Sequence, residues 1–265
     1  MLIDFHIHAF TDEIAQRAVE RLVNTAKIKN YTDGTEKATR DFLAENNIDY
    51  GVLLPIATKP TQQKTINDWA ASVSGGSIIS FGTVHPDAED ALDELERIKS
   101  LGLKGIKLHP DYQNVFVFSE NCIKVFRRCA ELDLPVSIHM GYDPVSPLVH
   151  RALPQDLLYV REKAPNVKLI AAHLGGMFCW DAVLHYLCGD RSIWLDTAYI
   201  GGFIDPSLLR SIVEKHGDDR ILFGSDLPWH NPSSEKALIE QIGLSDKSLD
   251  RIFAENAAEL LKMTF

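Results

Sequence analysis

Leu2-Ile-Asp-Phe-His-Ile-His8 is the stretch of sequence that decides the fold, because a strand-like apolar pattern ends there in two histidines. Side chains two residues apart on a strand lie on the same face, so His6 and His8 are expected to lie side by side. Later segments repeat the design with short runs rich in valine, isoleucine, leucine or phenylalanine, typical of parallel strands covered on both faces. The predicted strands are Leu2–His8, Tyr50–Ile56, Ile78–His85, Gly105–His109, Val136–His139, Lys168–His173, Ile193–Thr197 and Ile221–Ser225.

Helical patterns separate these strands. Asp87–Leu101 begins with acidic residues, repeats its leucines at helical spacing and ends before Gly102. Further helices are predicted at Ser119–Leu132, Gln155–Ala164, Trp180–Leu187, Pro206–Lys215, Ser234–Ile242 and Asn256–Met263. This alternation predicts one α/β domain over residues 1–265, a single (β/α)8 TIM barrel. A doubly wound open sheet is the alternative, but no G-x-G-x-x-G motif follows the first strand to support dinucleotide binding.

Composition narrows the class of protein. The chain has 265 residues, 45% of them hydrophobic, and a formal net charge of -10. That charge, without any run of lysine and arginine, argues against nucleic-acid and membrane partners. The four cysteines form no C-x-x-C pair, and the chain opens directly on the strand that carries the histidines. We therefore expect a cytoplasmic protein that acts on a small molecule; the sequence leaves open whether it forms a homo-oligomer.

The histidines concentrate where a barrel places its active site. Asp226 ends the last predicted strand, and Gly224, two residues earlier, is expected to leave room one layer below it. The carboxyl ends of barrel strands converge on one face. Imidazoles with one carboxylate hold a divalent ion and leave a position open for water, which favours Zn²⁺ with Mn²⁺, Fe²⁺ or Ni²⁺ as alternatives. The histidines that end predicted strands are His6, His8, His85, His109, His139 and His173.

These motifs resemble the amidohydrolase superfamily, and in particular its amidohydrolase-2 branch. The resemblance spans the whole chain and implies a metal-dependent barrel enzyme. The branch includes aminocarboxymuconate-semialdehyde decarboxylase, resorcylate decarboxylases and the pyrone-dicarboxylate lactonase, so it implies either hydrolysis or carbon–carbon cleavage. The segments that carry it are His6-x-His8, His139, His173 in Ala-His-Leu-Gly-Gly, Lys104-Gly-Ile-Lys-Leu-His-Pro110, Arg220-Ile-Leu-Phe-Gly-Ser-Asp-Leu-Pro228 and Glu-Asn256-Ala.

The resemblance also implies roles for single residues. His173 matches the histidine that works beside the metal-bound water, or binds a second metal in other members. Two-metal members bridge their ions with a carboxylated lysine on strand four, where Lys107 lies; we expect Lys107 to be unmodified and the protein to bind one ion. Asp226 is then both a ligand and, with His173, a catalytic residue. The residues that match the metal ligands of one-metal members are His6, His8, His139 and Asp226.

Several further side chains are candidates to contact substrate. Lys107 and His109 share an inward parity on strand four, although Lys107 is equally explained by a buried pair with Asp196 or Asp4. Asp4 shares parity with His6 and His8 and is a candidate to support the ligands. Two long loops, 111–119 and 141–154, are placed to cover a pocket. The candidates from these loops and from the last strand are Tyr112, Arg151, which suits a substrate carboxylate, and the aromatic wall Trp229.

Three functions fit this pattern. The leading hypothesis is a metal-dependent hydrolase of a small ester, lactone or amide, in which the ion lowers the pKa of bound water toward about 7. The alternative is a non-oxidative decarboxylase of an aromatic or muconate-like acid, which releases CO₂ without adding water. A non-catalytic, metal-stabilised binding barrel is the minor alternative, and it requires a closed four-ligand site without the surplus polar groups found here.

Overall fold

The computed structural model describes residues 1–263, in which parallel strands alternate with helices around a closed ring. The third predicted strand is divided at Phe81, so its two parts carry separate labels. The remaining strands follow the predicted order but are shorter, and most of the strand-end histidines lie just beyond them. The strands are β1 Ile3–Ile7, β2 Tyr50–Leu53, β3 Ile78–Ser80, β4 Gly82–Thr83, β5 Ile106–Leu108, β6 Val136–Ile138, β7 Leu169–Ala171, β8 Ile193–Asp196 and β9 Ile221–Leu222.

The predicted barrel is confirmed by the way these strands pair. β1, β2 and β3 pair in parallel, and β4 to β9 form a second parallel run in chain order. The two runs are continuous through Phe81, whose N–H donates to Leu53 O at 3.0 Å. At the other junction the Phe5 N–H donates to Phe223 O at 2.7 Å, and the Asp226 N–H donates to His6 O at 2.8 Å. The first strand therefore closes on the last, as a TIM barrel requires.

Helices cover the outside of the ring, and several were not among those predicted. The first three helices were missed, and the helix predicted from Asp87 begins only at Ala91 because Asp87–Asp90 form a turn. Ser119 caps α6 as expected, since its hydroxyl accepts the Cys122 N–H at 3.4 Å. The helices are α1 Asp12–Ala26, α2 Glu36–Glu45, α3 Gln63–Val73, α4 Ala91–Ser100, α5 Pro110–Gln113, α6 Glu120–Leu132, α7 Asp156–Lys163, α8 Trp180–Tyr186, α9 Pro206–His216, α10 Pro232–Gln241, α11 Asp246–Asp250 and α12 Asn256–Leu261, the last entered through a π-turn at Arg251–Glu255.

Apolar side chains fill one end of the barrel, and polar side chains line the other end, where the carboxyl ends of the strands lie. Phe5 and Phe81 meet edge to face in the interior, with ring centroids 5.7 Å apart. They belong to a buried cluster that includes Trp194 and is closed below by Leu260 and Leu261 of α12. A core of this kind excludes water from the floor of the barrel. The polar side chains near the carboxyl ends of the strands thus stand on a rigid apolar base.

The pairing of β1 with β2 is irregular between Asp4 and Ile7. A bulge of this kind changes the parity of a strand and re-aims the side chains that follow it. Phe5 packs in the barrel interior, and His6 also faces the polar end. Asp4 is directed elsewhere: it accepts the N–H and hydroxyl of Ser225 and the His6 N–H. Asp4 therefore ties the first strand to the turn before Asp226 rather than contacting a ligand side chain.

Candidate metal centre

His6, His8 and Asp226 converge at the carboxyl end of the barrel. The two histidine Nε2 atoms are 3.2 Å apart. Asp226 Oδ1 lies 3.4 Å from His6 Nε2 and 3.1 Å from His8 Nε2. Ligands about 2.0–2.1 Å from a tetrahedral ion are separated by roughly 3.3–3.4 Å. The spacing of these three atoms thus fits the coordination sphere of one divalent ion.

The opposite ring nitrogens of both histidines are already bound. His6 Nδ1 lies 2.9 Å from Asp196 Oδ2, and His8 Nδ1 lies 2.8 Å from the carbonyl oxygen of Leu54. Because a carbonyl oxygen only accepts, His8 Nδ1 must donate, and the carboxylate of Asp196 demands the same of His6. Both Nε2 lone pairs therefore face the centre, the arrangement that orients histidines toward a metal. The donor set fits a divalent ion in chemistry as well as in spacing.

The backbone at the site is held in an uncommon conformation. Asp226 has φ 69° and His173 has φ 58°, both in the left-handed region that non-glycine residues rarely adopt. Such strain persists where the surrounding structure fixes it, as at functional sites. Gly224 is needed for a different reason, because a Cβ there would lie 2.9 Å from the Cβ of His6. Gly224 was expected to leave open space below Asp226. Instead, its lack of a side chain allows the first and last strands to approach each other closely.

His139 and His173 form a second pair next to the first group. His139 Nδ1 lies 2.9 Å from His173 Nε2, and His173 Nδ1 donates to Ala198 O at 2.9 Å. The rings of His173 and His6 are 5.3 Å apart between centroids, so the pair adjoins the three converging ligands. His139 therefore lies outside the group of three converging ligands and is separated from His6 by the ring of His173.

Lys107 is fully buried between the two groups of histidines. Its Nζ lies 3.2 Å from His6 Nε2. Burial lowers the pKa of Lys107 to about 8, against the raising effect of the Asp196 and Asp226 charges. A buried ammonium is tolerated only near negative charge. Lys107 therefore occupies the floor of the site, where it faces the ligand side chains.

His109, Tyr112 and His139 form a column of parallel rings. His109 stacks on Tyr112 with centroids 3.7 Å apart and on His139 at 4.0 Å. The Tyr112 hydroxyl donates to Asp143 Oδ2 at 3.2 Å. Asp143 is buried, and its Oδ1 accepts the N–H groups of Val145 and Ser146. His109 and Tyr112, both predicted to contact substrate, thus lie against the candidate metal centre.

Arg151 and Trp229 have other neighbours. The Arg151 guanidinium donates to Asn114 Oδ1 at 2.6 Å and lies 3.5 Å from Asp111 Oδ1. It is therefore engaged in joining the two long loops over the site. Trp229 packs near Phe10, with ring centroids 6.4 Å apart.

Asp143 was not singled out from the sequence, and Asp196 was considered only as a partner for Lys107. Asp196 is a signal that could have been used more fully, because it is a fully buried charge at the end of an otherwise apolar strand. Asp143 gives a weaker signal, since Asp before Pro144 reads as an ordinary turn. Only the fold shows that this turn brings its carboxylate to the ring column.

We expect the metal-free protein to lose stability on acidification. Burial lowers the pKa of His6 to about 4 and lowers those of His109, His139 and His173 from the ordinary value near 6.5. At these four histidines the unfolded chain binds protons below pH 6.5 that the folded chain does not, so their contribution to stability is present above that pH and falls below it. Burial raises the pKa of Asp4 to about 7 and that of Asp143 to about 6, which acts in the opposite direction but involves two groups against four. Each histidine contributes up to about 1.4 kcal/mol per pH unit. Urea unfolding of chelator-treated protein between pH 8 and pH 5 checks this; a flat profile would contradict it.

The fold and the site together define a class: a TIM barrel with a histidine- and carboxylate-lined centre at the carboxyl ends of its strands. A family model described as "Amidohydrolase" matches residues 3–263. The chain belongs to this amidohydrolase family and is an enzyme of the amidohydrolase-2 type, which leaves the non-catalytic binding barrel unsupported. Within residues 1–263, no helix is long and apolar enough to span a membrane.

Solved structures of similar fold cover nearly the whole chain. A 2,6-dihydroxybenzoate decarboxylase from Rhizobium is 15% identical with a TM-score of 0.74, over 99% of this chain and 98% of that one. A 5-carboxyvanillate decarboxylase from Sphingomonas paucimobilis is 14% identical, with a TM-score of 0.69 and 99% of each chain covered. A dihydroxybenzoic acid decarboxylase from Polaromonas sp. JS666, with bound manganese and 2-nitroresorcinol, is 17% identical with a TM-score of 0.72, over 99% and 97%. At these identities the likeness shows the fold alone.

Proposed function

We propose that this protein is a metal-dependent, non-oxidative decarboxylase of a small aromatic acid. The alternative function from the sequence thereby replaces the hydrolase as the leading hypothesis. The ion is divalent and held by His6, His8, Asp226 and His139. The sequence favours zinc, whereas the Polaromonas neighbour contains manganese, so both metals enter the test.

One observation carries the proposal: the stacked rings of His109 and Tyr112 lie directly beside the candidate ligands. Both faces of His109 are covered by Tyr112 and His139, so the column presents ring edges to the centre; such edges suit a flat substrate, because aromatic rings also pack edge to face. The neighbours support the same substrate class, since each of the three compared above is a decarboxylase of an aromatic acid. An extended ester or amide would gain nothing particular from this column.

The chemistry needs stabilised negative charge and a proton. The bond between the ring carbon and the carboxylate carbon breaks, CO₂ leaves, and the electron pair stays on the ring carbon until a proton replaces the carboxylate. A bound divalent ion supplies Lewis-acid stabilisation of substrate oxygens. We assign the proton transfer to His173 Nε2, because Nδ1 is committed to Ala198 O. Burial lowers the pKa of His173, so the resting ring is neutral and Nε2 carries a lone pair; this atom would first take up a proton from solvent and then pass it to the ring carbon that has lost CO₂.

A specific feature of His173 also suits the hydrolase. The same hydrogen bond to Ala198 O leaves the Nε2 lone pair of a neutral ring able to accept a proton from water. A hydrolase would use that atom as a base toward an ester, lactone or amide. Both functions would use the same metal centre. A hydrolase adds the elements of water to its product, whereas a decarboxylase releases CO₂ and adds only a proton.

Product balance separates the two functions. Protein loaded with Mn²⁺ or Zn²⁺ is incubated in ¹⁸O-labelled water with 2,6-dihydroxybenzoate, other hydroxybenzoates, and a panel of esters, lactones and amides. The expected result is CO₂ release from an aromatic acid, with an organic product that carries no ¹⁸O. Incorporation of ¹⁸O into the product of an ester, lactone or amide, without CO₂ release from any acid, would establish the hydrolase instead.

A further inference from the structure

Four aromatic side chains form a continuous aromatic rim above three adjacent strands, at the carboxyl end of the barrel. Tyr142 follows β6, Phe178 follows β7, and Tyr199 and Phe203 follow β8. Neighbouring rings are 5.4–5.6 Å apart between centroids. Phe178 is 52% exposed and Phe203 46%. Single apolar side chains scattered over a surface are ordinary, whereas a contiguous group of exposed rings marks a contact surface.

The backbone holds these rings in place at a cost. Phe178 has φ 58° and Tyr199 has φ 59°, in the left-handed region that bulky residues rarely adopt. Strain of this kind persists where the surrounding structure fixes it, as at ligand contacts. The Tyr142 N–H donates to Met177 O at 3.0 Å, which joins two of the loops directly before Phe178. The aromatic rim is therefore a fixed surface.

The aromatic rim is continuous with the metal centre through His173. Phe178 packs on Trp180 with ring centroids 5.7 Å apart, and Trp180 Nε1 donates to His173 O at 3.1 Å. Tyr199 follows directly on the residue whose carbonyl oxygen accepts His173 Nδ1. Burial and the charge of Asp226 raise the pKa of Tyr199 to about 12. The aromatic surface thus begins beside the proposed proton-transfer residue and extends from there to solvent.

The exposed area indicates the size of the occupant. Phe178 and Phe203 together expose about as much surface as one whole phenylalanine side chain, roughly 150–250 Å². A stable interface between two proteins needs about 800 Å² from each partner, so the aromatic rim alone is too small to hold a second copy of the chain. One apolar group of the size of a phenyl ring covers a surface of this area.

The angles between the rings favour an aromatic occupant. The plane of Phe178 is inclined by 69° to that of Tyr142 and by 82° to that of Phe203. The aromatic rim therefore offers both ring faces and ring edges. Aromatic pairs prefer edge-to-face or offset-stacked contacts, so a further ring can extend this pattern.

We propose that Tyr142, Phe178, Tyr199 and Phe203 form an outer subsite for an aryl substituent, so that the preferred substrate is an aromatic acid with a second ring. This inference rests on the proposed function and narrows its substrate class. The carboxylate-bearing ring lies at the metal centre, and the second ring lies on the aromatic rim. Phe178 and Phe203 determine specificity because they are the most exposed of the four.

The test measures binding, so it does not depend on turnover. Calorimetric titration of the Mn²⁺-loaded protein compares benzoate with 2-, 3- and 4-phenylbenzoate. We expect at least one phenylbenzoate to bind about tenfold or more tightly than benzoate, because it buries additional apolar surface. Phe178→Ala and Phe203→Ala should each reduce that ratio to below about threefold. Tyr159→Ala is the matched control and should keep the ratio, since Tyr159 is an exposed ring on the outer helix α7.

Two further measurements locate the second ring. Added benzoate should raise the apparent Kd of the phenylbenzoate in proportion to its concentration, because both acids occupy the metal centre. In sedimentation velocity, Phe178→Ala and Phe203→Ala should behave like the parent. Should one variant melt well below the parent, the other carries the test.

Four outcomes would overturn the outer subsite: no preference for any phenylbenzoate, a preference that persists in both variants, binding that benzoate does not compete, or dissociation of an oligomer in both variants. The last of these would make the aromatic rim an interface between copies of the chain. A protein that prefers a phenylbenzoate but releases no CO₂ keeps the subsite and loses the proposed reaction. Release of CO₂ from single-ring acids without the preference keeps the reaction and rejects the subsite.

Discussion

Replacing Asp226 with alanine is expected to remove metal binding and to lower kcat by more than about 10³-fold, the scale of the several kcal/mol that a catalytic ion supplies. Asp226 is the only carboxylate in the converging group of His6, His8 and Asp226. Although burial opposes ionisation, the surrounding imidazole rings of His8, His6 and His173 hold the pKa of Asp226 well below its usual range. The carboxylate is therefore charged and ready to bind an ion at neutral pH.

Metal content per chain and kcat, measured on Asp226→Ala, check this expectation. Asp41→Ala is the control, because Asp41 is exposed and its ion-pair partner within residues 1–263 is Lys37, one helical turn away. It should retain both metal and activity. A full equivalent of tightly bound metal in Asp226→Ala would show that the ion is held elsewhere and would reject the assignment of His6 and His8 as well.

The barrel could be predicted from sequence because its signals are local. Each strand is a short apolar run, and the period of two in His6-x-His8 depends on neighbouring residues alone. Three of the missed helices, α1 to α3, show why such signals are incomplete; the short α5 and α11 were missed as well. α3 buries Gln63 and Asn67, polar residues that break an apolar stripe in the sequence but are hydrogen-bonded in the fold.

Sequence could predict only those site residues whose orientation follows from the alternation of side chains along a strand. His6, His8 and Asp226 converge because each lies at the carboxyl end of its strand. The bulge between Asp4 and Ile7 changes which side chains of β1 face the same side, and the sequence pattern gives no sign of it. As a result Asp4 contacts Ser225. Whether a charged group stands beside a ligand or binds it depends on such register shifts.

Contacts between segments that are far apart in the chain could not be predicted from the sequence. Tyr112 lies in α5 after β5, and Asp143 lies in the loop after β6; they form a hydrogen bond because the neighbouring strands β5 and β6 bring both segments to one edge. Arg151 shows the opposite case, in which a predicted contact with substrate is replaced by contacts within the protein. An arginine in a loop over a pocket suggests substrate binding, but here the guanidinium is engaged with Asn114 and Asp111. Partner choice among loop side chains is a property of the tertiary fold.

His173→Ala is expected to lower kcat by about 10²-fold or more while the protein keeps its metal. The size is that of a lost acid–base group. His173 Nε2 adjoins His139 Nδ1 at 2.9 Å, so it stands next to the centre. The four ligands proposed above, His6, His8, Asp226 and His139, would suffice for one ion without it. Steady-state kinetics and metal analysis of the same preparation separate the two effects. His216→Ala offers a control, since that buried histidine contacts Ile193 O outside the site.

The metal content of His173→Ala also decides how many ions the centre holds. His139 Nδ1 and His173 Nε2 are 2.9 Å apart, which is a hydrogen-bond distance and shorter than the roughly 3.3–3.4 Å between two ligands of one tetrahedral ion. With one ion, alanine at 173 leaves the metal content at about one equivalent and only turnover falls. A preparation that begins with two equivalents and loses one would make His173 a ligand of a second ion, place Lys107 between two metals and reject the one-ion scheme.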